Sequence, residues 1–354
     1  MLQNLRLSRI PADDQLQAWN AADELLLNRQ EEVQGNSLIV NDSFGAIALS
    51  LNNKQVSCWL DSATSAEALQ HNANQNNLVA PPLVFPPFTD GQFETIVIHI
   101  PKSASYFSWL LETLKPSLTG NRTVLALGMT KHINNAHIKV MNEQFANVNP
   151  GRAEKKARVI RLTEPREPAT TNKTNCYANP LTHEDITVLP GCFAEKSIDP
   201  GARVFISYFN QLPEAKKVLD LGCGNGVLTQ TFLSVQPSSE VHLADDSRQA
   251  IDSAKLNLQG QHNCFFHHSN GLNNLKAENF DLILCNPPFH QNSTVTLTVA
   301  EKLISDAANV LSKEGQLWLV ANRHLDYRKT LKEHFNTLNI VSKDARFNVI
   351  CCTK

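Results

Sequence analysis

The feature that most constrains this chain is a glycine-rich turn. Asp220-Leu221-Gly222-Cys223-Gly224-Asn225-Gly226 follows the apolar pair Val218-Leu219 and precedes an apolar run that opens at Val227. Alternate glycines after a buried strand demand a tight strand-to-helix turn, because only glycine takes positive φ freely and lets a ligand approach with no Cβ between. Such a turn belongs to an α/β sheet, whose ligands sit beyond the carboxyl ends of parallel strands. Residues 218–221 therefore read as a strand and 227–233 as the start of a helix. The alternation continues with strands at 241–244, 280–285 and 315–321 and helices at 248–258 and 299–311.

The spacing selects the ligand. A dinucleotide site uses G-x-G-x-x-G and rests a pyrophosphate on the helix start. Here the spacing is G-x-G-x-G, with Asp220 two residues ahead of Gly222. That is the pattern for the amino-acid part of S-adenosylmethionine (AdoMet). Asp220 is placed to hold the amino group, directly or through water, and Gly222, Gly224 and Gly226 form the turn around it. The next strand ends at Asp245, where a carboxylate can accept both ribose hydroxyls. Ser247 then opens the following helix as its cap, which favours Asp245 over the fallback Asp246. A third strand ends near Ser269-Asn270, so Asn270 reads as an adenine contact or as a plain turn residue.

A second motif carries the chemistry. The strand at 280–285 runs into Asn286-Pro287-Pro288-Phe289. The prolines fix φ and hold the loop in one shape. The Asn286 side-chain oxygen and the Pro287 carbonyl can accept hydrogen bonds, and Phe289 offers a face for stacking. A planar exocyclic amine is a poor nucleophile, because its lone pair is delocalised. Two acceptors gripping its two N–H bonds favour a pyramidal nitrogen whose lone pair points at a methyl donor. No strong base is needed, since the nitrogen sheds its proton after becoming cationic. Guanine N2, adenine N6 and a glutamine amide all fit this reading.

The first half repeats the pattern without its chemistry. Strands are expected at 37–40, 93–100 and 123–127, with helices at 16–27 and around 106–114. Asp61-Ser62 leads to Asn72 over the same interval that takes Asp246-Ser247 to Asn257, and Phe93 leads to Pro101 as Phe280 leads to Pro288. Where the glycines stand, this half has only Gly45. Leu60 replaces Asp245, and His99-Ile100-Pro101-Lys102 replaces the Asn-Pro-Pro-Phe motif. The expected fold is α/β, with two tandem Rossmann-like methyltransferase domains. The N-terminal domain, 1–163, is degenerate. A linker with no apolar period spans 164–180, and the catalytic domain is 181–354. At 354 residues the chain is long enough for both.

With these motifs the chain resembles AdoMet-dependent methyltransferases of planar amines. It looks most like the large-subunit ribosomal RNA methyltransferase G family, which are 23S rRNA guanine-N2 methyltransferases. The resemblance runs from residues 16–24 and 41–46, through the glycine turn and Asn286-Pro287-Pro288-Phe289-His290-Gln291, to Val320-Ala321-Asn322-Arg323-His324 and beyond. It implies methylation of a guanine N2 in 23S rRNA, at the family's site, guanine 1835, by a two-domain enzyme whose first copy binds no cofactor. The same resemblance to rRNA methyltransferases implies RNA binding for that copy, 1–163. The same signature fits 16S rRNA guanine-N2 enzymes. Glutamine-N5 methyltransferases usually carry Tyr at the Phe289 position and a small helical first domain.

Composition bears on partners. The net charge of −2 argues against a protein that coats nucleic acid over its whole surface, but leaves room for a local basic strip. Lys155, Lys156, Arg158 and Arg161 form one before the linker, and Arg323 follows a strand near the site. Each reads as a phosphate or substrate contact or as a solvated charge. Eight cysteines show no C-x-x-C spacing, and His290 has no partner ligands, so no metal is expected. No apolar run is long enough to span a bilayer, and no signal peptide is visible. The expectation is a cytoplasmic enzyme with no obligate protein partner.

Overall fold

The computed structural model describes residues 2–13, 15–118, 122–166, 174–273, 275, 279–287, 294–324 and 327–354. The chain divides into two compact units, Met1–Lys173 and Thr174–Lys354.

The first unit contains α1 (Ala21–Leu27), β1 (Ser37–Val40), α2 (Ala46–Ser50), β2 (Val56–Trp59), α3 (Ala63–Gln75), β3 (Thr95–His99), α4 (Ala104–Leu114), β4 (Thr123–Met129), α5 (Asn135–Gln144), β5 (Phe145–Asn149) and β6 (Ala157–Pro165). Its strands order as β2-β1-β3-β4-β6-β5. The first four are parallel, and β6 runs antiparallel to its two neighbours, β4 and β5.

The second unit opens with a two-stranded antiparallel pair, β7 (Asn175–Ala178) and β8 (Asp185–Val188). It continues with α6 (Pro200–Ile206), β9 (Lys217–Leu221), α7 (Val227–Val235), β10 (Glu240–Asp245), α8 (Arg248–Asn257), β11 (Cys264–His268), β12 (Phe280–Cys285), α9 (Thr294–Val310), β13 (Leu311–Asn322), α10 (Arg328–His334), β14 (Thr337–Lys343) and β15 (Phe347–Thr353). The sheet order is β11-β10-β9-β12-β13-β15-β14. Without β11 this repeats the first unit strand for strand. The architecture is two tandem Rossmann-like methyltransferase domains.

Both central sheets bury their two faces. In β9, Val218 packs into one apolar cluster and Leu219 and Leu221 into the other, as expected where helices cover both sides of parallel strands. The same alternation accounts for the adjacent Cys351-Cys352 pair. Successive side chains of β15 point to opposite faces, so Cys351 joins one core and Cys352 the other.

The sequence and the structure part in three places. The helix expected over 16–27 begins only at Ala21. Asn20 caps it by accepting from the Ala22 N–H, while the Asp23 carboxylate accepts from the Asn20 N–H. This capping box sets the start and leaves Leu16 exposed. Within the stretch read as a linker, Glu164 and Pro165 finish β6 and residues 175–178 form β7; residues 167–173 lie outside the described residues. The first unit also has no counterpart of β11. A proline-rich segment runs there beside β2, with the Cys58 N–H donating to the Pro82 carbonyl and the Val84 N–H to the Cys58 carbonyl, both at 2.9 Å. Proline has no N–H to give, so the ladder stops after one bridge.

Candidate active site

Four parallel strand ends of the second unit supply the site. Asp220, near the end of β9, is fully buried. Its Oδ2 accepts from the Thr229 hydroxyl at 2.7 Å. Its Oδ1 is buried with no hydrogen-bond partner. Burial pushes the carboxyl up to about 7; the Thr229 hydrogen bond opposes that shift and the Asp245 carboxylate adds to it.

The three glycines all take positive φ, at 75°, 54° and 80° for Gly222, Gly224 and Gly226. They divide into two roles. A Cβ at Gly222 or Gly224 would meet nothing within 4 Å, so both border open space. A Cβ at Gly226 would lie 3.1 Å from the Ala254 Cβ, so this glycine lets α7 start against α8.

Asp245 ends β10 and ties the turn together. Its Oδ2 accepts from the Gly224 N–H and its Oδ1 from the Ser247 N–H, each at 2.9 Å. Ser247 caps α8 by accepting from the Ala250 N–H. Asp246, one residue on, accepts at its backbone carbonyl from His268 Nε2 at 2.9 Å. Asn270 follows β11, and the Ser269 N–H donates to the Asp245 carbonyl at 2.9 Å, so the two strand ends are bound side by side.

Asn286 stands just beyond β12. Its Nδ2 donates to Asp199 Oδ2 at 3.3 Å, and its Oδ1 is buried with no partner. Asp199 in turn caps α6 by accepting from the Ala202 N–H at 2.9 Å. A carboxylate only accepts, so the amide atom facing it must be the nitrogen, and the amide oxygen is turned away as a free acceptor. Pro287 is buried. Pro288 and Phe289 lie outside the described residues.

Sequence reasoning missed the supports of this site. Thr229, on α7, donates its hydroxyl to Asp220 Oδ2 and so holds one of the two carboxylate oxygens. Asn225 Nδ2 donates to the Tyr177 hydroxyl at 2.7 Å, which fastens the turn to β7. In sequence, Asn257 marks only the repeat. Its Nδ2 donates to the Asn225 and Thr187 carbonyls at 2.9 and 2.8 Å, and its Oδ1 accepts from the Thr187 N–H at 2.8 Å. Asn72 makes the matching bonds in the first unit, to Phe44 and Ser8.

The basic candidates are not equivalent. Lys155 Nζ pairs with Glu24 at 2.9 Å and Arg161 with Glu32 at 2.6 Å. Lys156, Arg158 and Arg323 form no ion pair among the described residues. Lys156 and Arg323 are exposed.

The residues fit AdoMet. Open space at Gly222 and Gly224 is the cradle a Cβ would fill, and the unpartnered Asp220 oxygen suits a cationic amine.

Comparison with known proteins agrees with this geometry. Residues 183–351 match the methyltransferase small domain, and residues 1–166 match the RLMG N-terminal domain. The ribosomal RNA large subunit methyltransferase G of Pseudoalteromonas translucida is 31% identical over 369 residues, covering 98% of this chain and 95% of that protein. The protein of the same name from Klebsiella pneumoniae is 31% identical over 361 residues, covering 98% and 96%. Among solved structures, the Thermus thermophilus 16S rRNA N2 G1207 methyltransferase RsmC, in complex with AdoMet and guanosine, superposes with a TM-score of 0.80 at 22% identity, over 95% of this chain and 92% of that one. No helix among the described residues is long and apolar enough to cross a membrane. The chain belongs to the ribosomal RNA large subunit methyltransferase G family and is an AdoMet-dependent rRNA methyltransferase.

Proposed function

We propose that the chain methylates the exocyclic N2 of a guanine in 23S rRNA, at the position the family resemblance implies, guanine 1835. The observation that carries the chemistry is the buried, unpartnered Asn286 Oδ1, left unused because Asp199 takes the amide nitrogen. When bound, AdoMet supplies an electrophilic methyl group. Asp220 Oδ1 receives its amino group, and Asp245 receives its ribose from beside the glycine turn. Asn270 stands where the adenine edge would be read, and Asp246 is the secondary ribose candidate.

Asn286 Oδ1 and the Pro287 carbonyl accept the two N–H bonds of the target amine. This grip favours a pyramidal nitrogen with its lone pair free to attack. The nitrogen gains the methyl and then loses one proton to solvent, so no buried base is required. The guanine leaves its stack to reach Asn286, and Phe289 offers a ring for it to lie on. Domain 1–163 grips RNA, with Lys156 and Arg158 as the phosphate contacts. Lys155 and Arg161 contribute if phosphate displaces their carboxylate partners. Arg323 serves near the target.

The test incubates the protein with labelled AdoMet and with 23S and 16S rRNA separately, followed by digestion to nucleosides. Label in 2-methylguanosine from 23S rRNA is expected. Label confined to 16S rRNA, to methyladenine or to protein overturns the proposal.

A further inference from the structure

A cavity of about 460 Å³ opens in the first unit at the carboxyl ends of β1, β2, β3 and β4. It stands at the place in the repeat where the second unit holds its cofactor residues, yet its chemistry differs. Ile39 occupies the position of Asp220. Asn41 and Ser43 line the cavity where Gly222 and Gly224 border open space. The subsite for an amino acid is thus narrowed, and its acid is gone.

Its lining includes Asp61 and Ser62, at the start of α3, together with Lys102 and His132. Desolvation first, and then the neighbouring Lys131 and Lys102 ammonium groups, hold the His132 imidazole below its ordinary pKa. Leu127, Met129 and Ile133 give an apolar face. Asn41 Nδ2 is buried with no hydrogen-bond partner, a donor left over at the cavity. The volume suits a small-molecule site.

We propose that this cavity binds a single nucleotide, with its sugar hydroxyls at Asp61 and Ser62, its phosphate at Lys102 and His132, and its base against the apolar face. An extrahelical nucleotide of the RNA substrate and a free nucleoside monophosphate share this chemistry. The RNA source rests on the proposed function, whereas the cavity's ligand class does not.

The experiment titrates the full-length protein with GMP and AMP. It follows the His132 imidazole by NMR, assigned with His132→Gln, and measures affinity by equilibrium dialysis. The expected result is saturable binding with the His132 midpoint raised by about one pH unit as phosphate arrives. Lys102→Ala should weaken binding about tenfold, the value of one charge-assisted contact. Lys102→Arg should retain it, and AdoMet affinity should be unchanged in both variants. Displacement of GMP by 23S rRNA identifies the RNA source; binding untouched by rRNA identifies the free nucleotide. A His132 signal unmoved by millimolar GMP, or equal binding by Lys102→Ala, overturns the proposal. Methyl transfer is read separately on labelled rRNA and can stand if the cavity stays silent.

Discussion

Asp199 holds Asn286 by its amide nitrogen, across 87 residues of sequence, and so leaves the amide oxygen buried and unspent. A carboxamide rotated by half a turn would present N–H groups to an amine that is itself a donor. The carboxylate makes that rotation costly, because its acceptor would then face an oxygen. Asp199 is therefore a positioning residue. Asp199→Ala removes both the clamp and the α6 cap and should lower kcat by about a hundredfold, the scale of one misplaced transition-state partner, with AdoMet Kd little changed. Asp199→Ser keeps a cap for α6 and loses the clamp, so it should show the kinetic defect with a melting temperature near that of the parent. Single-turnover methylation beside AdoMet titration separates these outcomes.

Removing the acceptor itself should cost more. Asn286→Ala is expected to reduce the methylation rate by about a thousandfold while cofactor affinity stays within about twofold. A parallel loss of AdoMet binding would assign Asn286 to the cofactor rather than to the amine.

Asp220 ties cofactor binding to pH. With its carboxyl pushed up to about 7, it is largely protonated below that pH. A cationic amine favours the ionised form, so binding below about 7 releases a proton. Affinity for AdoMet should then rise with pH by up to about tenfold per unit below this midpoint, and level off above it. Asp220→Asn should bind weakly and flatten the profile. Thr229→Val removes a hydrogen bond that favours the carboxylate, so it should move the midpoint upward. Calorimetry in buffers of different ionisation heat counts the proton directly.

The three glycines should fail in different ways. Gly224→Ala places a methyl in open space, so its effect on packing is small and it should cost about 1 kcal/mol through its positive φ. AdoMet affinity should fall steeply, because the methyl enters the cradle. Gly226→Ala drives a methyl against Ala254 at 3.1 Å and should cost about 1–3 kcal/mol of stability from overpacking, on top of its strained φ. Thermal melts with and without AdoMet distinguish the two.

The paired asparagines provide a control for the duplication. Asn257→Ala frees the Asn225 carbonyl of the glycine turn and should weaken AdoMet binding as well as stability. Asn72→Ala removes the same bonds from the unit without that turn. It should destabilise by about 2 kcal/mol and leave AdoMet affinity alone. Chemical denaturation and AdoMet titration of both variants check the contrast.

The motif residues were legible because their constraints are local. Gly222, Gly224 and Gly226 announce positive φ, and Val218-Leu219 announces a buried strand, all within one stretch of chain. The two-domain architecture followed once both halves showed the same alternation. Other features depend on residues far apart. Nothing near Asn286 indicates that Asp199 will meet it. Nothing near Lys155 or Arg161 shows that Glu24 and Glu32 will neutralise them, since those partners lie 131 and 129 residues away. The helix at 16–27 misread its start because apolar spacing at Leu16 and Trp19 competed with the capping box at Asn20, and the local hydrogen bonds won.

The proline-rich segment beside β2 has a consequence for how the protein behaves among its own copies. In the second unit β10 is covered by a further strand, whereas in the first β2 would be the sheet's raw margin. A bare margin of parallel strand is a template on which another chain can crystallise its own backbone, the opening step of aggregation. Pro81, Pro82, Pro86 and Pro87 occupy that margin with chain that has few amide protons to lend. The degenerate copy gave up a strand and kept a seal, which allows it to remain folded without recruiting the backbone of another chain.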